Sequence, residues 1–462
     1  LQGMPLPALI GALILLAAVS VLVSPRVRTA DGFFRGSSNT GQAPDVVTLT
    51  LSQVTTWIFA RSLLNAGILG YFFGIAGALA YTAYYGSFLT GWLIVDRLRY
   101  RHGVTNIQTF VTHHFGRLGT GCFNLLISMR LLTEVFANLL VVGIVFGAAG
   151  SVGYNVAIIT VALVTLVYSM TGGLRASLRT DLWQMTLLGV LLIGLTAMMF
   201  VHPFFEASAL LESSAINSPG WILLVVALLQ VLSYPMHDPV MMDRGFLADR
   251  STTRQSFLHA FWISSLCILA FGFLGVFAGL HRQGEEELIA TLARLLGTPA
   301  MLVLGLALFI SAASTLDSAF SSASKLAVVD MGLGEATARN GRLAMLCFAV
   351  GGLLLVLFGT DDLFAAVAVS GTASLFLTPV IVFCIFAERR VRPWCFFVTF
   401  AAAVGGAAAY FVETSGYSQL IGRISGLEHD YAKLLLITVV VLVVGLSSFA
   451  MALQPRSDNT PS

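Results

Sequence analysis

The chain of 462 residues returns again and again to runs of about twenty residues with hardly a charge among them. A run of that length crosses a bilayer as a helix and is too long for a barrel strand. Thirteen such runs lie near 5–24, 46–69, 71–95, 119–149, 153–169, 180–201, 217–236, 256–280, 298–325, 343–359, 363–387, 394–412 and 431–452. The expected fold class is therefore an all-α integral membrane protein of about 13 transmembrane helices. Composition points the same way: 57% of residues are hydrophobic and 10% charged, where soluble domains carry about a quarter charged. Mean hydropathy is +0.87, which no water-soluble fold of this size would cover.

Lys and Arg orient the spans. With the N-terminus outside and the spans alternating, nineteen of the 25 basic residues fall on inner segments, from Arg26 and Arg28 to Arg456. Four fall outside, namely Arg282, Arg294, Arg423 and Lys433, and Arg61 and Arg130 lie within spans. One miscounted span would scramble this split. The C-terminus is then cytoplasmic, and the membrane is read as a plasma membrane, of the bacterial inner type. The opening "LQG" reads as an expression scar, and the first run as a retained helix, since no basic segment precedes it. The five cysteines lie in or beside apolar runs with no CxxC spacing, as small core residues do. A net charge of +2 says little about partners, and no nucleic-acid partner is expected.

The ninth run carries an unusual load, "FISAASTLDSAFSSASKLAVVD" at 309–330. At 100° per residue, Ser311, Ser314, Thr315, Ser318 and Ser322 share one helix face, which Asp317, Ser321 and Ser324 extend. Hydroxyls alone would serve as a small-residue packing stripe. A carboxylate within a span instead faces a cavity, an ion or a partner, and hydroxyl and carboxylate oxygens without nitrogen or sulfur suit a hard cation. A proton carried on Asp317 or a salt bridge to a buried arginine are the other readings.

A second stretch, "YSMTGGLRASLRTDLWQM" at 168–185, resembles a signature of the solute:sodium symporter family, with Gly172, Gly173, Thr180, Asp181 and Gln184 in its turn and helix start. The 314–330 stretch is similar to that family's other main signature. "DPVMMDRGFLADRSTTRQSF" at 239–257 resembles its basic loop, and "DGFFRGSS" at 31–38 the segment after its first helix. The resemblance implies a leucine-transporter-type core of two inverted five-helix repeats. These would occupy 46–201 and 217–392, after an extra helix and inner loop in 1–45 and before two helices and a short tail in 393–462. The first helix of each repeat would be broken at mid-membrane, with solute and sodium at the breaks. "TLSQVTTWIFARSLLNAG" and "LLQVLSYPMHDP" offer such breaks, the second through Pro235.

The resemblance further implies a first sodium site. Its ligands would be the carbonyls of Thr55 and Ile58 (aligned on Ser52), the carbonyl of Ser311, and the hydroxyls of Ser314 and Thr315. A second site, for sodium or a proton, would use Asp181, Asp317 and Ser318. The alternative for Asp181 is a carboxylate in the first turn of a helix capped by Thr180. The solute would be lined by Trp57, Phe59, Arg61, Ser62, Tyr81, Arg130 and Tyr234. Arg130 pairs with Glu134 at i,i+4 or meets a ligand. Arg61 has no local acid, so a ligand carboxylate, an inter-helix partner or a place near the outer mouth would explain it. His237 and Asp238 are candidates for an inner gate.

The resulting expectation is a sodium-coupled symporter, possessing no enzyme activity and working as a monomer, that imports a small polar or organic-anion solute by alternating access. A proton-coupled symporter or a solute sensor on the same scaffold are the alternatives, although a sensor would need an attached signalling domain. No HExxH, shared Ser/His pair or phosphate loop is available for an enzyme, and a passive channel would leave the stripe without a purpose.

Overall fold

The computed structural model describes residues 6–212, 218–358 and 370–455, which are almost entirely helical. The starts of the runs expected at 217–236 and 363–387 lie outside the described residues, as does Arg456. In chain order the helices are α1 Leu6–Val23, α2 Ala30–Arg35, α3 Val46–Trp57, α4 Ala60–Ala83, α5 Ser87–Tyr100, α6 Ile107–Phe146 and α7 Val152–Phe200. There follow α8 Ala207–Leu210, α9 Pro219–Gln230, α10 Pro239–Gly245, α11 Arg250–Leu280, α12 Leu288–Lys325 and α13 Ala338–Phe358. Last come α14 Ser370–Phe386, partly irregular, α15 Trp394–Thr414, α16 Leu420–Ser425 and α17 Asp430–Met451.

Eight of the described helical stretches are long and apolar enough to span a membrane, and Ile10–Val23, Pro219–Gln230 and Ser370–Phe386 are shorter apolar ones. Several are too long for one crossing. The 49 residues of α7 would rise roughly 70 Å if straight, more than twice a hydrocarbon core of about 30 Å. It is in fact two spans reversing at Gly173, whose φ is +55°. A Cβ there would also lie 2.3 Å from the Phe33 carbonyl oxygen, so only glycine fits the turn. Left-handed glycines likewise bend α4 at Gly74, α6 at Gly116 and α12 at Gly297. With the bends at Gly74 and Gly173 counted as dividing crossings, and with α3–α4 and α9–α10 each taken as one interrupted crossing, the described residues supply thirteen apolar passes. Apolar side chains such as Leu22, Ile193 and Val443 stay exposed on the outer faces, as lipid-facing residues do.

Two packing relationships set up the interior. The stripe helix α12 lies along α7, and α11 lies along α4. At the second contact the backbones nearly touch: a Cβ on Gly275 would sit 2.0 Å from the Gly67 carbonyl oxygen, and one on Gly279 2.2 Å from that of Tyr71. Small residues permit this approach, which is how membrane helices gain packing when lipid offers no hydrophobic drive.

One expectation is overturned here. The helix start expected at Thr180 and Asp181 lies earlier, because the helix resumes directly after Gly173. Asp181 therefore sits two turns inside the second half of α7, and Thr180 caps nothing; its hydroxyl bonds back to the Ala176 and Ser177 carbonyls, at 3.0 Å each.

Candidate functional site: two helix breaks and the hydroxyl stripe

The first break falls between α3 and α4, where Ile58 and Phe59 leave helical geometry. Three of the backbone groups freed there are met by side chains, as burial favours. Tyr85 donates its hydroxyl to the Trp57 carbonyl at 2.7 Å. Ser311 donates to the Ile58 carbonyl. The Ala60 N–H donates to Asn138 Oδ1 at 3.1 Å. The second break is the turn Tyr234–His237 between α9 and α10, opened by Pro235. Thr90 covers the Val231 carbonyl at 2.7 Å, and Asp238 caps α10 through the Met241 N–H at 3.1 Å.

The expected first-site residues lie in the interior, and three of them are joined to one another. Thr55, Ile58, Ser311, Ser314 and Thr315 are all buried. The Ser311–Ile58 bond joins α12 to the first break, and Thr315 Oγ1 donates to the Ser311 carbonyl at 2.9 Å. Thr55 lies in the last turn of α3, whose terminal carbonyls point past the helix end. This set of neutral carbonyl and hydroxyl oxygens suits sodium, a hard and weakly held ion.

One turn further along the stripe lies a charged cluster with no measurable exposure. Asp181 accepts from Ser52 at 2.6 Å and from Ser314 at 2.8 Å. Asp317 accepts from Ser177 at 2.6 Å, Tyr168 at 2.9 Å and Thr180 at 3.0 Å. Arg244 enters from α10: its Nε donates to Ser52 at 2.7 Å, one Nη to the Val240 carbonyl at 3.0 Å and the other to Ser318 at 3.0 Å. The same guanidinium lies 3.6 Å from Asp181.

Six of the seven expected solute residues, namely Trp57, Phe59, Arg61, Ser62, Tyr81 and Tyr234, line one cavity beside the breaks, together with Tyr84 and Tyr85. Its volume is about 20 Å³, room for roughly one water. The seventh, Arg130, lines a neighbouring cavity with Thr133, His237 and Ser370. Both arginines are spoken for. Arg61 pairs with Glu134 at 3.0 Å, and Arg130 pairs with Glu134 and, at 3.0 Å, with Asp238. Two guanidiniums thus meet two carboxylates, which removes the basis for expecting an anionic solute from an unpartnered Arg61. Asp238 and His237 lie beside this network, Asp238 through its pair with Arg130 and His237 Nε2 3.0 Å from Ser370 Oγ. On the arginine-rich side a separate vestibule of about 520 Å³ opens among Arg35, Arg99, Asn106, Asp243, Lys325 and Asp330. Lys325 binds Asp243 at 2.7 Å and Asp330 at 3.1 Å at its floor.

Sequence reasoning missed Tyr85 and Asn138 as partners of the break and counted Arg244 only as an inner basic residue. Asn138 was signalled, being a polar amide within an apolar run. Arg244 gave no signal, because "MMDRGF" reads like the edge of a loop.

Among its described residues the chain is nearly all helical, with two interrupted crossings facing a polar stripe, an arrangement that fits the leucine-transporter-type fold. No family model matches the chain, and no curated protein matches its sequence. Among solved structures, it is similar to the substrate-bound outward-open state of a Na⁺-coupled sialic acid symporter. The TM-score is 0.73 at 15% identity, over 98% of both chains. It is also similar to a nucleobase-cation-symport-1 family transporter in a closed conformation with bromovinylhydantoin bound. There the TM-score is 0.58 at 12% identity, over 90% of this chain and 95% of that one. What is shared is the fold of an integral membrane transporter.

Proposed function

We propose that this chain is a sodium-coupled symporter, which carries a small polar solute across the membrane by alternating access. The observation that carries the reading is the Ser311–Ile58 bond, which seats the hydroxyl stripe on the broken end of α3. A cation held there by the carbonyls of Thr55, Ile58 and Ser311 and the hydroxyls of Ser314 and Thr315 would clamp α3 to α12. The fold shared with a Na⁺-coupled symporter supports the same ion.

The solute would bind beside the breaks, against the aromatic wall of Trp57, Tyr81, Tyr84 and Tyr234, with Ser62 and Tyr81 supplying polar contacts. The balanced Arg61–Glu134–Arg130–Asp238 network favours a neutral or zwitterionic molecule over a simple anion, since a net charge would meet no compensating excess. The N-terminus would lie outside and the C-terminus in the cytoplasm, with the 520 Å³ vestibule on the cytoplasmic side.

The test is thermal unfolding of the detergent-purified protein, titrated with NaCl against choline chloride at fixed ionic strength. An ion that binds only the folded state stabilises it by RT ln(1 + [L]/Kd). The reading expects a sodium-specific rise in Tm that Thr315→Ala abolishes. Equal responses to both salts would remove sodium as the coupling ion. A rise on acidification that Asp317→Asn loses would then favour the proton.

A further inference from the structure

The residues Asp181, Asp317 and Ser318 stand where the resemblance puts a second ion, and the space among them is not free for one. Arg244 has no measurable exposure. It comes from the inner half of the second broken helix and bonds Ser52 on the inner half of the first, Ser318 on α12 and, at 3.4 Å, Ser177 on α7. Its charge lies 3.6 Å from Asp181, and Ser177 links the carboxylates, bonding Asp317 at 2.6 Å and reaching Asp181 at 3.5 Å. A guanidinium beside the Asp181 carboxylate and three hydroxyls, two of which also bond Asp317, does what a bound cation would do, with the difference that it is covalently attached to α10. A buried Asp181 carboxylate without a counter-charge would be strongly unfavourable, and here the chain supplies that charge, while Asp317 is held by the hydroxyls of Ser177, Tyr168 and Thr180.

We propose that Arg244 is a tethered cation holding the second-ion position, so that this transporter binds one sodium ion per cycle, at the first site alone. The proposal rests on the sodium reading above for that count, but its structural half does not. If Arg244 is the resident cation, removing it leaves the oxygens of Asp181, Asp317, Ser177 and Ser318 as a site that sodium can fill. It also follows that the bolt between the two broken helices and the α7–α12 pair persists without any ion, and must be pulled apart each time the inner side opens.

The experiment is equilibrium binding of radioactive ²²Na⁺ to the purified full chain, together with sodium-dependent thermal unfolding. The proteins are wild type, Thr315→Ala, Arg244→Gln, Arg244→Lys, Thr315→Ala/Arg244→Gln and that double variant with Asp317→Asn added. Expected are one ion bound per wild-type chain with a Hill coefficient near 1, and no sodium shift for Thr315→Ala. The double variant should regain a sodium shift, which Asp317→Asn then removes, while Arg244→Lys, which keeps the charge, should gain no ion.

Two ions on wild type, falling to one in Asp317→Asn, would overturn the proposal and needs no Arg244 variant to fold. A folded double variant insensitive to sodium would overturn it too. If wild type binds no sodium at all, the symporter reading fails, and a sodium response gained in Arg244→Gln would still uphold the tethered cation.

Discussion

Arg61 Nη2 lies 3.0 Å from Glu134 Oε2, across 73 positions of sequence, and Arg130 reaches the same carboxylate oxygen from one turn away. Glu134 is thus the hub of a buried four-charge chain that continues through Arg130 to Asp238. Removing one member of a buried ion pair strands its partners, typically at a cost of about 3–5 kcal/mol. Glu134→Gln should therefore lower stability by about that much, with Asp238→Asn, which strands one guanidinium less completely, losing less. Denaturant unfolding in detergent measures both. A Glu134→Gln protein within about 1 kcal/mol of wild type would show that the hub is not what holds the two arginines.

Asn138 covers the Ala60 N–H at 3.1 Å and is itself held by the Glu134 carbonyl at 2.9 Å. Asn138→Leu keeps the volume but orphans a buried donor, which costs about 1–3 kcal/mol. Because that donor opens α4, solute and sodium affinity should fall together. A variant that loses stability while keeping both affinities would place Asn138 outside the site.

Gly173→Ala meets the Phe33 carbonyl and a positive φ at once, and should fail to accumulate as folded protein. Gly194 lies further along the same α7, and a Cβ there meets nothing within 4 Å. Gly194→Ala should be neutral or stabilising by up to about 1 kcal/mol, the helix preference of Ala over Gly. Fluorescence-detected size exclusion of the two variants side by side would show whether the reversal at 173 depends on its glycine.

The vestibule and the central cavity should differ in access. In a Cys347→Ala background, which removes the exposed native cysteine, a charged thiol reagent should modify Thr105→Cys on the vestibule rim readily. Ser62→Cys, in the 20 Å³ cavity, should react more slowly by orders of magnitude. Similar rates for the two would mean that the cavity opens freely to the vestibule.

Much of the architecture could be read from the chain because the bilayer imposes it. Run lengths marked the spans, and the polar residues in "SQVTTW" and the proline in "SYPMHD" marked both breaks. The stripe's helical period placed Ser311, Ser314 and Thr315 on one face before their partners were known. The pairings were not legible, since Arg61–Glu134 and Arg244–Asp181 depend on which helices become neighbours, and local spacing is silent on that. The Gly-Gly turn misled in a specific way. Two glycines beside arginines look like a loop, yet one left-handed residue suffices to reverse the helix, so Thr180 and Asp181 were displaced from a helix start into its interior.

The glycine seam between α4 and α11 bears on how such a molecule works. With carbonyl oxygens lying where side chains would otherwise intervene, the backbones of these two helices are closely keyed together. The α4 half of the first broken helix is therefore the part packed most tightly on α11. Ile58 and Phe59, where helical geometry is already interrupted, are where a change of angle along that crossing would cost the fewest helix bonds.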